Sequence, residues 1–171
     1  PELVQWPLLG VAFVVSERGE LDEGSAVAEA DGTRTFQLAS SPQRAWLSHA
    51  VVAAPTAEGI LTLLPDAQDL FATAWLVGAP PTVSPAIGPE TVNVVSERPG
   101  AILLAIESSA PAVLTISEAY APGWQATVNG ASTAVRISAG ALLGVAVPAG
   151  PAQVMLTYAP PELTPARWAS A

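Results

Sequence analysis

The segment SEAYAPGWQATVNGASTAVRI, Ser117 to Ile137, sets Tyr120, Pro122, Gly123 and Trp124 close together in a chain otherwise rich in Ala and Val. Two readings compete. Either the aromatic side chains are displayed to a ligand, or a turn leads into a core anchor. In WQATVNG, strand alternation puts Trp124, Ala126 and Val128 on one face and Gln125 and Thr127 on the other. That phase favours burial of Trp124, since an in-phase aromatic is usually part of the core. Pro122-Gly123 suits the centre of a type II turn, with Pro fixing φ and Gly supplying a positive φ. Asn129-Gly130 is a two-residue hairpin signal.

The same grammar continues in both directions. Seven short alternating runs are expected as strands: Thr91 to Ser96, Ala101 to Glu107, Ala112 to Glu118, Trp124 to Asn129, Thr133 to Ser138, Leu142 to Val147 and Gln153 to Tyr158. Each is bounded by Gly or Pro, as in ERPG, SSAP, APG, SAG and PAGP. Leu114 and Ile116 share a face opposite Thr115 and Ser117. Val135 and Ile137 oppose Arg136, and Val154, Leu156 and Tyr158 oppose Gln153 and Thr157. The expected fold is mainly β: an antiparallel β-sandwich of about seven strands, Ig-like or jelly-roll-like, with an N-terminal α+β lobe.

That lobe is assigned to residues 1–80. LLGVAFVVS (Leu8 to Ser16) reads as a buried strand, and the acidic stretch from Glu17 to Gly32 as a solvated hairpin or loop. TRTFQLA, RAWLSHAVVAA and FATAWLVG are further strand candidates. Between the last two, TAEGILTLLP has Thr56 as an N-cap, helical apolar spacing, and Pro65 to end it. Pro80, Pro81, Pro85 and Pro89 punctuate a linker over 81–90, the sandwich occupies 91–160, and 161–171 forms a tail leading toward a membrane segment.

Composition narrows the chemistry. The chain has 171 residues, half of them apolar, enough for a sizeable core. It has no Cys, which excludes disulfides, thiolate catalysis and Cys-ligated metals. The net charge is −9 and the six basic residues are scattered arginines, so nucleic acid is excluded as a partner and an anionic membrane surface repels the average face. Mean hydropathy is positive. Yet the most apolar run, LVQWPLLGVAFVV, falls short of the ~20 residues of a membrane span and is broken by Gln5 and Pro7. It also lacks the basic start and cleavage site of a signal peptide.

SEAYAPGWQATVNG, followed by VPAG at Val147 to Gly150 and YAP at Tyr158 to Pro160, resembles the C-terminal extracytoplasmic region of the YfhO-like bacterial membrane proteins. Upstream, SSPQRAWLSHAVV and LLPDAQDLFATAWL are similar to that family in order and spacing. The likeness covers about Phe36 to Pro160, with Leu8 to Ser16 a weaker match. Gln43, Asn129 and Pro151-Ala152 depart from the family pattern. Asn129 keeps the turn chemistry, because Asn tolerates positive φ as Asp does. The resemblance implies a polytopic protein similar to GT-C glycosyltransferases that use polyprenyl-phosphate sugars at the outer face of the membrane. Its chemistry is then expected in membrane-proximal loops outside this chain.

Within the chain no catalytic constellation is legible. Glu17, Glu20, Asp22, Glu23, Glu29 and Asp31 lack the spacing of a Ca²⁺ loop and read as a solvated edge. Asp66 and Asp69 follow Pro65, where capping is the simpler role for them than a hydrolytic carboxylate pair. His49 is the only histidine, and alternation turns it away from Ser48, against a nucleophile–base pair. A single His also excludes a multi-His metal site. No phosphate loop or dinucleotide fingerprint occurs.

The expectation is a non-catalytic extracytoplasmic domain that needs neither cofactor nor metal and covers the outer face of its own membrane domain. There it orients a cell-envelope glycan or a polyprenyl-phosphate sugar, with Glu118, Tyr120 and Trp124 as the contact residues. Two alternatives stand beside it: a carbohydrate-binding module of a secreted protein, and a glycoside hydrolase or esterase.

Overall fold

The computed structural model describes residues 13–16, 24–30, 33–38, 43–64 and 71–160. Most of the acidic stretch, and Asp66 and Asp69, lie outside the described residues. The first three strands are β1 (Phe13–Ser16), β2 (Gly24–Ala30) and β3 (Thr33–Leu38), which form an antiparallel sheet in the order β1-β3-β2. The end of the acidic stretch is thus a strand. Its one described ion pair, Glu29 to Arg34 at 3.1 Å, is exposed.

RAWLSHAVVAA, expected as one strand, is two: β4 (Ala45–Ser48) and β5 (Ala50–Ala54), with a bend at His49. The two halves sit at opposite edges of one sheet, so the chain must break there. Helix α1 (Ala57–Leu63) begins where Thr56 accepts a hydrogen bond from the backbone N–H of Gly59 at 3.1 Å, the N-cap read from sequence. It leads into β6 (Thr73–Val77), which pairs parallel to β5. A parallel pair needs a crossover, and α1 lies within it.

The remaining strands are β7 (Thr91–Arg98), β8 (Ala101–Ser108), β9 (Ala112–Ala119), β10 (Trp124–Val128), β11 (Ala131–Thr133), β12 (Val135–Ser138), β13 (Leu142–Val147) and β14 (Gly150–Tyr158). The expected strand Thr133 to Ser138 is divided at Ala134, because the chain passes from one sheet to the other there: β11 pairs with β10, and β12 with β13. Region 91–160 accordingly holds eight strands rather than seven. Five form the sheet β11-β10-β14-β8-β7, and the other three join β4, β5 and β6 in the sheet β4-β9-β13-β12-β6-β5. Trp46 pairs with Thr115 and Leu76 with Ser138, so strands from both sides of the proline-rich stretch share one sheet.

The facing sides of the two sheets make the sandwich core. Leu104, Leu114, Ile116, Leu143, Val145, Val154 and Leu156 are each 0% exposed. The alternation read for β14 is therefore the alternation observed, whereas β9 is buried on both faces, with Val113 and Thr115 covered as fully as Leu114 and Ile116. Tyr158 is the exception: it has the core phase but sits at the end of β14 and is 38% exposed. Where β5 and β6 extend past the smaller sheet, α1 covers them, burying Ile60 and Leu64 against Trp75. The proline-rich stretch has no helix or strand but is tied down. Ser84 N–H donates to Pro111 O at 3.0 Å, and Val83 packs on the cluster of Ala74, Leu76 and Val113.

Candidate sugar-contact site at one end of the sandwich

At one end of the sandwich the inward phase runs out of apolar residues. Ile116 is core, so the next inward position on β9 is Glu118. On β7, Glu97 is in register with the buried Ile102, which turns it to the same side. Two carboxylates therefore meet at the mouth between the sheets, one from each sheet.

Arg44, just before β4, holds them together. Its Nη2 donates to Glu97 Oε1 at 2.5 Å and to Glu118 Oε2 at 2.6 Å, and its Nε donates to Glu97 Oε2 at 3.3 Å. Its Nη1 donates to the carbonyl of Ser117. Burial opposes the charge on Arg44, but the hydrogen bonds and field of the two glutamates outweigh it and hold the guanidinium above its ordinary value. Oε1 of Glu118 has no hydrogen-bond partner among the described residues.

Glu97, Glu118, Ile102, Gly100 and Trp124 line a cavity of about 390 Å³. Trp124 is half-buried and rests on the core with its inner edge, and its ring centroid lies 5.3 Å from that of Tyr158 at a 44° tilt. The turn before it is built as the sequence implies. Gly123 has φ +112°, and Trp124 N–H reaches Ala121 O at 3.4 Å. Gly123 also lets the chain leaving β14 pass close by, since Ala159 N–H donates to Gly123 O at 3.0 Å. At the other end of β10, Asn129 and Gly130 both have positive φ, +51° and +80°, as a primed hairpin turn demands.

Of the three residues expected at a site, Glu118 and Trp124 line the cavity together. Tyr120 is half-buried against the core, its N–H bound to Ala141 O at 2.7 Å, and does not line the cavity. Arg44 and Glu97 were not singled out from sequence. The only trace of Arg44 is its Pro-x-Arg-Ala context, and its partners are 53 and 74 positions away.

His49 does not pair with Ser48. Ser48 Oγ donates to Phe71 O at 2.7 Å, while His49 contacts Ser84 O through Nδ1 at 2.7 Å and Glu90 through Nε2 at 2.9 Å. Both ring nitrogens are thus engaged, one by a backbone carbonyl and one by a carboxylate. Glu90 also accepts from the N–H and the hydroxyl of Ser109, at 2.7 and 2.9 Å. Burial opposes its ionisation, but the hydrogen bonds from Ser109 and His49 outweigh that and hold its carboxyl below the ordinary value. This cluster fastens the proline-rich stretch. Among the described residues no group of three His, Asp or Glu is placed to hold a metal.

A shallow depression of about 420 Å³ lies on the outer face of the five-stranded sheet, floored by Ala105 and Pro151 and rimmed by Asn93, Glu107 and Gln153. It has no aromatic wall. The cavity at Trp124 does, as does another of about 420 Å³ lined by Trp46, Phe71 and Glu90.

Mainly β, built on two packed sheets and with no described helix long and apolar enough to cross a membrane, the chain has the make-up of a sandwich domain. Residues 90–166 match the family model of the bacterial membrane protein YfhO. No curated protein and no solved structure matches the chain.

Proposed function

We propose that this is a non-catalytic extracytoplasmic domain of a polytopic, glycosyltransferase-like membrane protein, and that it orients an acceptor glycan or a lipid-linked sugar at the cell envelope. The match of residues 90–166 to a membrane-protein family supports the setting. The single observation that carries the role is that Trp124 and the inward carboxylates Glu97 and Glu118 line one cavity. An indole face takes the C–H face of a pyranose, and carboxylate oxygens accept from its hydroxyls. Arg44 pairs with both carboxylates, which favours binding over reaction at this cavity.

The test is titration of the chain with cell-envelope glycans and polyprenyl-phosphate sugar analogues, followed by Trp fluorescence and amide NMR shifts. Saturable shifts centred on Glu97, Glu118 and Trp124 are expected. An absence of shifts at millimolar ligand rejects the role.

A further inference from the structure

We infer that the cavity at Trp124 reads the uncharged ring of a sugar and excludes its phosphate or carboxylate substituents. This rests on the reading that the cavity holds a saccharide, and it adds which part of the ligand enters. Two carboxylates converge there on one guanidinium, so the clasp itself carries a net unit of negative charge. The side chains are only partly exposed, 28% for Arg44, 44% for Glu97 and 36% for Glu118, so water does not fully screen that charge.

The hydrogen-bonding capacity has the same polarity. Arg44 directs Nε, both N–H of Nη2 and one N–H of Nη1 at protein oxygens, so four of its five donors are engaged. The larger free capacity is on the acceptor side, at Oε1 of Glu118 and the remaining lone pairs of Glu97. A hydroxyl or an ammonium group can donate to these; a phosphate cannot. Arg98 borders the cavity, but it is in register with Ala101 whereas Glu97 is in register with Ile102, so its side chain leaves β7 on the other face. For a lipid-linked sugar, the ring enters and the phosphate stays outside. A terminal neutral sugar or amino sugar of a glycan fits outright.

The experiment compares methyl glucoside, glucosamine and glucose 1-phosphate on the full chain at low salt, reading the indole N–H signal of Trp124. Methyl glucoside and glucosamine are expected to bind. Glucose 1-phosphate is expected to bind about tenfold more weakly, the scale of one repulsion between unit charges about 12 Å apart at an effective dielectric of about 20. Added salt narrows that gap, and so does the double variant Glu97→Gln with Glu118→Gln. Equal or tighter binding of glucose 1-phosphate by the unaltered chain overturns the inference and leaves the saccharide reading standing. If none of the three moves the signal, both fall together.

Discussion

Glu97 and Glu118 reach the same atom, Nη2 of Arg44, at 2.5 and 2.6 Å, although they stand on strands of different sheets. The pairing makes Arg44 a clasp across the open end of the sandwich. Neither carboxylate forms another ion pair among the described residues.

Removing the clasp leaves two carboxylates facing each other. Arg44→Gln is expected to lower stability by about 1–2 kcal/mol, more than a fully exposed ion pair contributes, because the group left behind is partly desolvated. Adding Glu97→Gln and Glu118→Gln should recover most of the loss. Urea unfolding of the single and triple variants checks this. A triple variant no better than Arg44→Gln would mean that the bond to Ser117 O, rather than charge, is what matters.

Trp124 serves both packing and the cavity wall. Trp124→Ala should cost about 3 kcal/mol, at the lower end for a large aromatic because the side chain is only half-buried. Trp124→Phe should retain most of that stability while weakening saccharide binding. Denaturant midpoints and ligand titrations on the two variants separate the roles.

Two glycines flanking β10 should respond differently. A Cβ on Gly123 would lie 2.6 Å from Ala159 O, a backbone atom, and its φ is +112°. Gly123→Ala is therefore expected to cost at least about 2 kcal/mol. Gly130 has φ +80° but nothing within 4 Å of such a Cβ, so Gly130→Ala should cost only about 1 kcal/mol. Thermal midpoints in that order are the check.

Glu90 sets an acid limit. Its carboxyl is lowered in the folded state, so the stability it contributes is present above the ordinary value of 4.5 and is lost as pH falls through the folded value. Unfolding free energy measured against pH should drop on that side. Glu90→Gln should be less stable at neutral pH and show a flatter acid limb. An unchanged slope would assign the acid sensitivity to other carboxylates.

Much of the architecture was legible because it is written locally. Alternation in Ala112 to Glu118 and Gln153 to Tyr158, the Pro122-Gly123 and Asn129-Gly130 turns, and the Thr56 cap each depend on neighbours a few positions away. What escaped the sequence depends on distant partners. Nothing near Ala134 says that the chain changes sheets, and nothing near His49 says that β4 and β5 go to opposite edges. The site shows the same division. Glu118 and Trp124 lie at strand ends beside the turn and could be named, whereas Arg44 and Glu97 acquire their roles only when two sheets close over them.

The pairing of β4 with β9, and of β6 with β12, also bears on how the domain is made. Trp46 has no strand to lie against until Thr115 exists, and β6, though paired with β5, joins the rest of the sheet only through Ser138. On a ribosome the early strands emerge well before their partners. The six-stranded sheet therefore cannot assemble in step with synthesis, and its apolar strands stay open to association with other chains until the C-terminal half arrives.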